Sequence, residues 1–75
     1  MDEQFQITLQ AARVNAGIRQ YKAAKALGVT IPTLSNWERG FTIPNAEQAN
    51  SLAKLYGIPI NRIFFGKLVP LNRNN

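Results

Sequence analysis

Apolar residues recur at helical spacing along most of this chain, and a glycine follows almost every such run. Phe5, Leu9, Ala12 and Ala16 stand at i, i+4, i+7 and i+11, which predicts one face of a first helix ending at Gly17. A second helix, from about Gln20 to Leu27, turns Ala24 and Leu27 inward and Lys22 and Lys25 outward before closing at Gly28. A glycine just past a helix end reaches the left-handed conformation that position requires without steric cost.

The next run is Val29-Thr30-Ile31-Pro32-Thr33-Leu34-Ser35-Asn36-Trp37-Glu38-Arg39-Gly40. Thr30 is an N-cap residue whose hydroxyl can accept a first-turn amide, and Pro32 falls within that turn, where its missing N–H costs nothing. Leu34 and Trp37, three apart, point to the core, which leaves Ile31, Pro32, Ser35 and Asn36 facing outward. After the loop Phe41-Thr42-Ile43-Pro44, Asn45 with Gln48 three residues on forms a capping-box relative, and Glu47 suits the helix dipole. Ala49, Leu52, Ala53 and Tyr56 mark the buried face of that helix, which Gly57 ends. Pro59 is expected to open a fifth, short helix that buries Ile60, Ile63 and Phe64. No strand pattern competes, so the expected class is all-α, with four or five short helices. Residues 1–66 form one domain, and residues 67–75 are a tail that is poorly ordered or part of an interface.

Composition narrows the function. Seventy-five residues leave little room for a catalytic cleft, and domains this small usually act through their outer surface. The absence of Cys and His removes thiol nucleophiles, the usual zinc site and the commonest general base. Ser35, Ser51 and the four acids offer no base or metal cluster, so neither enzyme activity, cofactor nor metal is expected. No apolar run is long enough for a membrane, and Met1-Asp2-Glu3-Gln4 is acidic where a signal peptide would be basic. The expectation is a soluble, intracellular protein.

Nine Lys and Arg against four acids give a net charge of +5, which points to an anionic partner. The basic residues Arg13, Arg19, Lys22, Lys25 and Arg39 share the stretch from Arg13 to Arg39 with one acid, Glu38. A solubilising surface generally mixes signs, whereas this stretch hardly does. Helix, Gly28, a two-residue turn and a second capped helix is also the spacing of a helix-turn-helix, whose second helix enters the major groove. Spacing alone fits an ordinary helical hairpin equally well.

From Leu9 to Phe64, about three quarters of the chain, the sequence resembles the lambda-repressor-like helix-turn-helix family, the Cro and Xre type of phages and bacteria. The resemblance is carried in collinear order by Leu9, Arg13, Gly17-Ile18-Arg19-Gln20, Ala24, Leu27-Gly28-Val29-Thr30, Leu34, Glu38 and Gly40. Pro44, Leu52-Ala53, Leu55 and Gly57 through Phe64 complete it. It implies a compact five-helix domain that regulates transcription by occupying operator DNA, commonly as a homodimer on palindromic half-sites. Carried over by position, Gln20 would touch a phosphate or orient a neighbouring side chain, and Thr30 would contact the DNA backbone. Ile31, Pro32 and Asn36 would occupy base-reading positions, with Thr33 and Ser35 beside them. Arg19, Lys22, Lys25, Arg39 and the loop at Phe41-Thr42 would lie near phosphates. Arg13 and Glu38 match an ion pair that joins helix one to the end of helix three.

This chain departs from the family pattern in several places. Arg19 stands where a Ser or Thr cap is common, which weakens the cap while adding a charge. Ala12 and Ala23 are small where leucine is frequent, and Trp37 is large, so the indole is expected to fill the space the alanines leave. Ile31 and Pro32 cannot hydrogen-bond, so bidentate readout is closed to them. Either they pack on thymine methyl groups while Asn36 reads an adenine, or the domain acts partly through another protein. The last possibility defines the rival reading, a protein-interaction module on the same fold, such as an antirepressor or co-repressor that binds another regulator. Phe65, Leu68, Val69 and Leu71 are candidates for an apolar interface, serving a homodimer or a heteromeric contact unless the tail folds back on its own core.

Overall fold

The computed structural model describes residues 5–66. In chain order these residues form strand β1 (Ile7–Thr8), helices α1 (Leu9–Asn15), α2 (Gln20–Leu27), α3 (Ile31–Glu38) and α4 (Ala46–Tyr56), a 3-10 turn (Ile60–Arg62) and strand β2 (Ile63–Phe64). Leu9, Ala12, Ala23, Ala24, Leu34, Trp37, Leu52, Ala53, Tyr56 and Ile63 form one core, to which every helix contributes. Trp37, Ala12 and Ala23 lie in that same cluster, with only a cavity of about 120 Å³ left beside the indole, lined by Leu27, Trp37, Glu47, Gln48 and Ser51.

Two of the elements differ from expectation. The first helix does not reach back to Phe5, which is 60% exposed. Thr8 caps it instead, its side-chain oxygen accepting the Ala11 N–H at 3.0 Å, while Ile7 and Thr8 are extended. The hydroxyl satisfies one of the amides a helix start leaves orphaned, so the helix begins where that acceptor stands rather than where the apolar spacing begins. Ala16, expected inward, is the exposed C-cap, and the buried positions of this helix are Leu9, Ala12 and Arg13.

The fifth helix is the second correction, for four α-helices are found among the described residues. Ile60–Arg62 makes a single 3-10 turn, and the chain then runs extended as β2, parallel to β1 with Ile7 opposite Ile63 and Thr8 opposite Phe64. One turn is too short to sustain a helix on its own, and Ile63-Phe64-Phe65 is β-branched and aromatic, suited to extended backbone. The change of period from 3.6 to 2 reorders the side chains. Ile63 is buried, Phe64 turns outward at 38% exposed and Ile60 is 40% exposed, although both were expected inside. Phe65, expected on an exposed apolar interface, packs half-buried against the core. The other residues of that expected patch, Leu68, Val69 and Leu71, lie with the tail 67–75 outside the described residues. Gln6 reinforces the strand pair, its Nε2 donating to the Asn61 carbonyl at 3.0 Å.

Candidate nucleic-acid interface

The geometry of α2 and α3 follows from two adjoining end motifs. Gly28 has φ +73°. The Val29 N–H donates back to the Ala24 carbonyl at 3.0 Å and the Gly28 N–H to that of Lys25 at 3.2 Å. These bonds close α2 in a Schellman arrangement. Thr30 is already the N-cap of α3, its Oγ1 accepting the Thr33 N–H at 3.2 Å. Only Val29 separates the two motifs, so the chain has almost no freedom in how the helices cross. Ala23 and Ala24, both buried, put no more than a methyl group each into the packing of α2.

In α3, Leu34 is fully buried and Trp37 is 7% exposed, which orients the helix. The opposite flank carries Ile31 and Pro32, both exposed, and Thr33, Ser35 and Asn36, each half-buried. Thr30 Oγ1 also lies 2.9 Å from Thr33 Oγ1 as donor, joining the two hydroxyls at the start of this flank. Arg19, Lys22 and Lys25 before the turn, and Arg39 and Thr42 after α3, are exposed. Arg19 is the N-cap of α2 without any side-chain bond to the helix start, which leaves its guanidinium free of that task.

Glu38, the acid of this region, is withdrawn from the surface. Arg13 Nε lies 2.6 Å from Glu38 Oε2, and Nη2 donates to Oε1 at 3.3 Å. The remaining Arg13 donor group, Nη1, reaches the Ile18 carbonyl at 3.0 Å. The side chains of the pair are 11% and 4% exposed. Gln20 Nε2 donates to Glu38 Oε1 at 3.1 Å, so its amide orients a neighbouring side chain rather than extending to solvent. The network ties α1, the connection after it and the start of α2 to the last turn of α3. It also pairs off inside the protein the charge of Glu38, the one acid between Arg13 and Arg39.

Below the network lies Tyr56, 7% exposed, whose hydroxyl has no hydrogen-bond partner. Burial pushes its pKa up to about 12; the negative charge of Glu38 adds to the rise and Arg13 opposes it. The phenol is therefore a neutral group at ordinary pH. The orphan hydroxyl was not legible in the sequence; for Gln20 the resemblance left open a phosphate contact or the orienting of a neighbour, and Glu38 as that neighbour depends on which helix faces which.

Past α3, Gly40 has φ +77°, its N–H donates to the Trp37 carbonyl at 3.2 Å, and the Phe41 N–H donates to the Asn36 carbonyl at 2.9 Å. This second Schellman closure folds the loop back, and the Phe41 ring lies under the Arg39 guanidinium, 4.6 Å from Cζ to the ring centroid. Among the described residues no helix is long and apolar enough to cross a membrane.

Comparison with known proteins agrees with this geometry. The helix-turn-helix family matches over residues 9–63. The HTH-type transcriptional regulator DdrOP3 of Deinococcus deserti is 38% identical over 58 residues, covering 77% of this chain and 45% of that protein. The chain thus spans less than half the length of that relative. No solved structure matches.

Proposed function

The chain belongs to the helix-turn-helix family, and from that membership we propose that it is a sequence-specific DNA-binding transcriptional regulator. In its finer form the reading is a phage or prophage repressor, a Cro-like protein or a modulator of repression. It acts by occupying operator DNA with the outer flank of α3, as a homodimer whose two copies meet successive half-sites. The observation that carries it is the pairing of an outward polar and apolar flank on α3 with exposed, same-sign charges, while Glu38 is neutralised in the interior.

Each group has a separate task. Arg19, Lys22, Lys25 and Arg39 meet phosphates, and Thr30 and Thr42 contact the backbone at the two ends of α3. These contacts set affinity and register but carry no sequence information. Asn36 has the donor and acceptor pair that matches the adenine edge, and Ile31 and Pro32 offer apolar surface to thymine methyl groups. No Lys or Arg lies within α3, so the commonest guanine contact is missing from the helix. The reading therefore favours A·T-rich half-sites, with Thr33 and Ser35 as auxiliary hydroxyl contacts. Gln20 supports the flank through Glu38.

Selection of preferred duplexes from a random pool with the purified protein tests this function. An A·T-rich palindrome is expected. Between about 50 and 200 mM salt, a dimer neutralising about six to eight phosphates should lose roughly a thousandfold or more in affinity. A flat salt response would remove the phosphate assignment. A second reading, an antirepressor or co-repressor that binds another regulator, draws on the exposed apolar side chains Ile31, Phe41 and Ile43 around α3. It predicts association with a purified regulator in the absence of DNA, and no gel shift by this protein alone.

A further inference from the structure

We infer that Phe41 is a positioning residue for DNA binding, its ring holding the Arg39 guanidinium over it and within reach of a backbone phosphate beside the C-terminal end of α3. This rests on the DNA-binding reading above and adds to it a residue that itself touches neither base nor phosphate.

The two arginines that flank the pair's acid make a direct contrast. Arg13 is buried, and all three of its nitrogens are engaged, two by Glu38 and one by the Ile18 carbonyl. Arg39 is exposed and makes no ion pair or side-chain hydrogen bond among the described residues; its guanidinium Cζ lies over the Phe41 ring, 4.6 Å from the centroid. Stacking uses the face of a guanidinium and leaves its in-plane N–H donors unspent. Those donors are the ones that fork onto phosphate oxygens. A free arginine side chain must surrender rotamer freedom when it docks, at a cost on the order of a kcal/mol per immobilised chain. A ring already beneath it reduces that loss.

The ring is not placed by chance. The Phe41 N–H is bonded to the Asn36 carbonyl at 2.9 Å and the Thr42 N–H reaches the same oxygen at 3.4 Å. The motif that ends α3 therefore fixes the backbone from which the ring projects relative to Asn36, the residue assigned to base reading. Phe41 is 57% exposed and lies outside the core cluster, so replacing its side chain should not disturb packing.

The test is a double-mutant cycle on the full chain, with binding to the selected operator and to a scrambled duplex followed by fluorescence anisotropy. Phe41→Leu keeps apolar bulk and removes the ring; it should weaken binding to both duplexes by the same factor, about two- to fivefold. Phe41→Tyr keeps a ring and should bind like wild type. In an Arg39→Gln background, Phe41→Leu should have no further effect. Equal losses from Phe41→Leu with and without Arg39 would overturn the inference, as would a loss from Phe41→Tyr as large as that from Phe41→Leu. An Arg39→Gln variant that binds like wild type also overturns it, while leaving the DNA-binding reading standing. Failure of the wild-type protein to bind any duplex would instead remove that reading and this inference with it.

Discussion

Replacing Glu38 by alanine takes the acceptor away from three donor groups at once, Arg13 Nε, Arg13 Nη2 and Gln20 Nε2. Arg13 would keep its bond to the Ile18 carbonyl but would hold an uncompensated charge in a site where its side chain is only 11% exposed. Breaking a buried pair from one side costs about 3–5 kcal/mol, and the slight exposure of Arg13 argues for the lower end, about 3 kcal/mol. A single core of this size contributes only ~3–5 kcal/mol of net stability, so Glu38→Ala should be barely folded at 25 °C. Urea unfolding is readily followed, because the single tryptophan, Trp37, is 7% exposed and reports on the core. Far-UV circular dichroism gives the parallel helix signal. The double variant Arg13→Met/Glu38→Leu removes both charges while keeping apolar bulk, and should return to within about 1 kcal/mol of wild type. A Glu38→Ala protein within about 1 kcal/mol of wild type would refute the reasoning. So would a double variant as unstable as the single one.

Three other substitutions separate local from long-range effects. Tyr56→Phe removes an unpartnered buried hydroxyl and should leave the unfolding free energy from urea titration unchanged or raise it by up to about 1 kcal/mol; a clear loss would show that the hydroxyl has a partner in solution. Because the folded-state pKa of Tyr56 is pushed up to about 12 from 10, its contribution is present below pH 10 and is lost as pH rises toward 12. Tyr56→Phe should therefore lose less stability than wild type across that window, as read by urea titrations at pH 9 to 12. Asn36→Ala should cost about 1–3 kcal/mol of binding to the selected operator and little on scrambled DNA in a competition gel shift, and equal losses on both would remove Asn36 as a base reader. Gly40→Ala forces a side chain into φ +77° and should lower stability by about 1–2 kcal/mol in the same urea assay, since the closure of α3 needs that conformation.

The helices whose ends carry their own chemistry were legible from the residues. Thr30 and Asn45 cap α3 and α4, Gly28 and Gly57 end α2 and α4, and Leu34 with Trp37 orients α3. Each of these rests on interactions spanning four or five positions, so the information is local. The first and last of the described elements behaved differently. Phe5 and Ala16 continued a helical spacing on paper, yet the Thr8 hydroxyl set the start of α1, and Ile60, Ile63 and Phe64 shared a helical face until pairing with Ile7 and Thr8 imposed the alternation of a strand. In both cases an acceptor or a partner strand satisfied the backbone better than another helical turn could.

The site divides the same way. Residue type and spacing pointed to the outer flank of α3, and the family resemblance to Arg13 opposite Glu38. Only the packed molecule joined Gln20 to Glu38, left the Tyr56 hydroxyl unpartnered and laid Phe41 beneath Arg39. Caps and periodicity are decided within a helical turn of chain. The bonds of Glu38 to Arg13 and Gln20 span 25 and 18 positions, and their geometry exists only once α1, α2 and α3 have closed on one core.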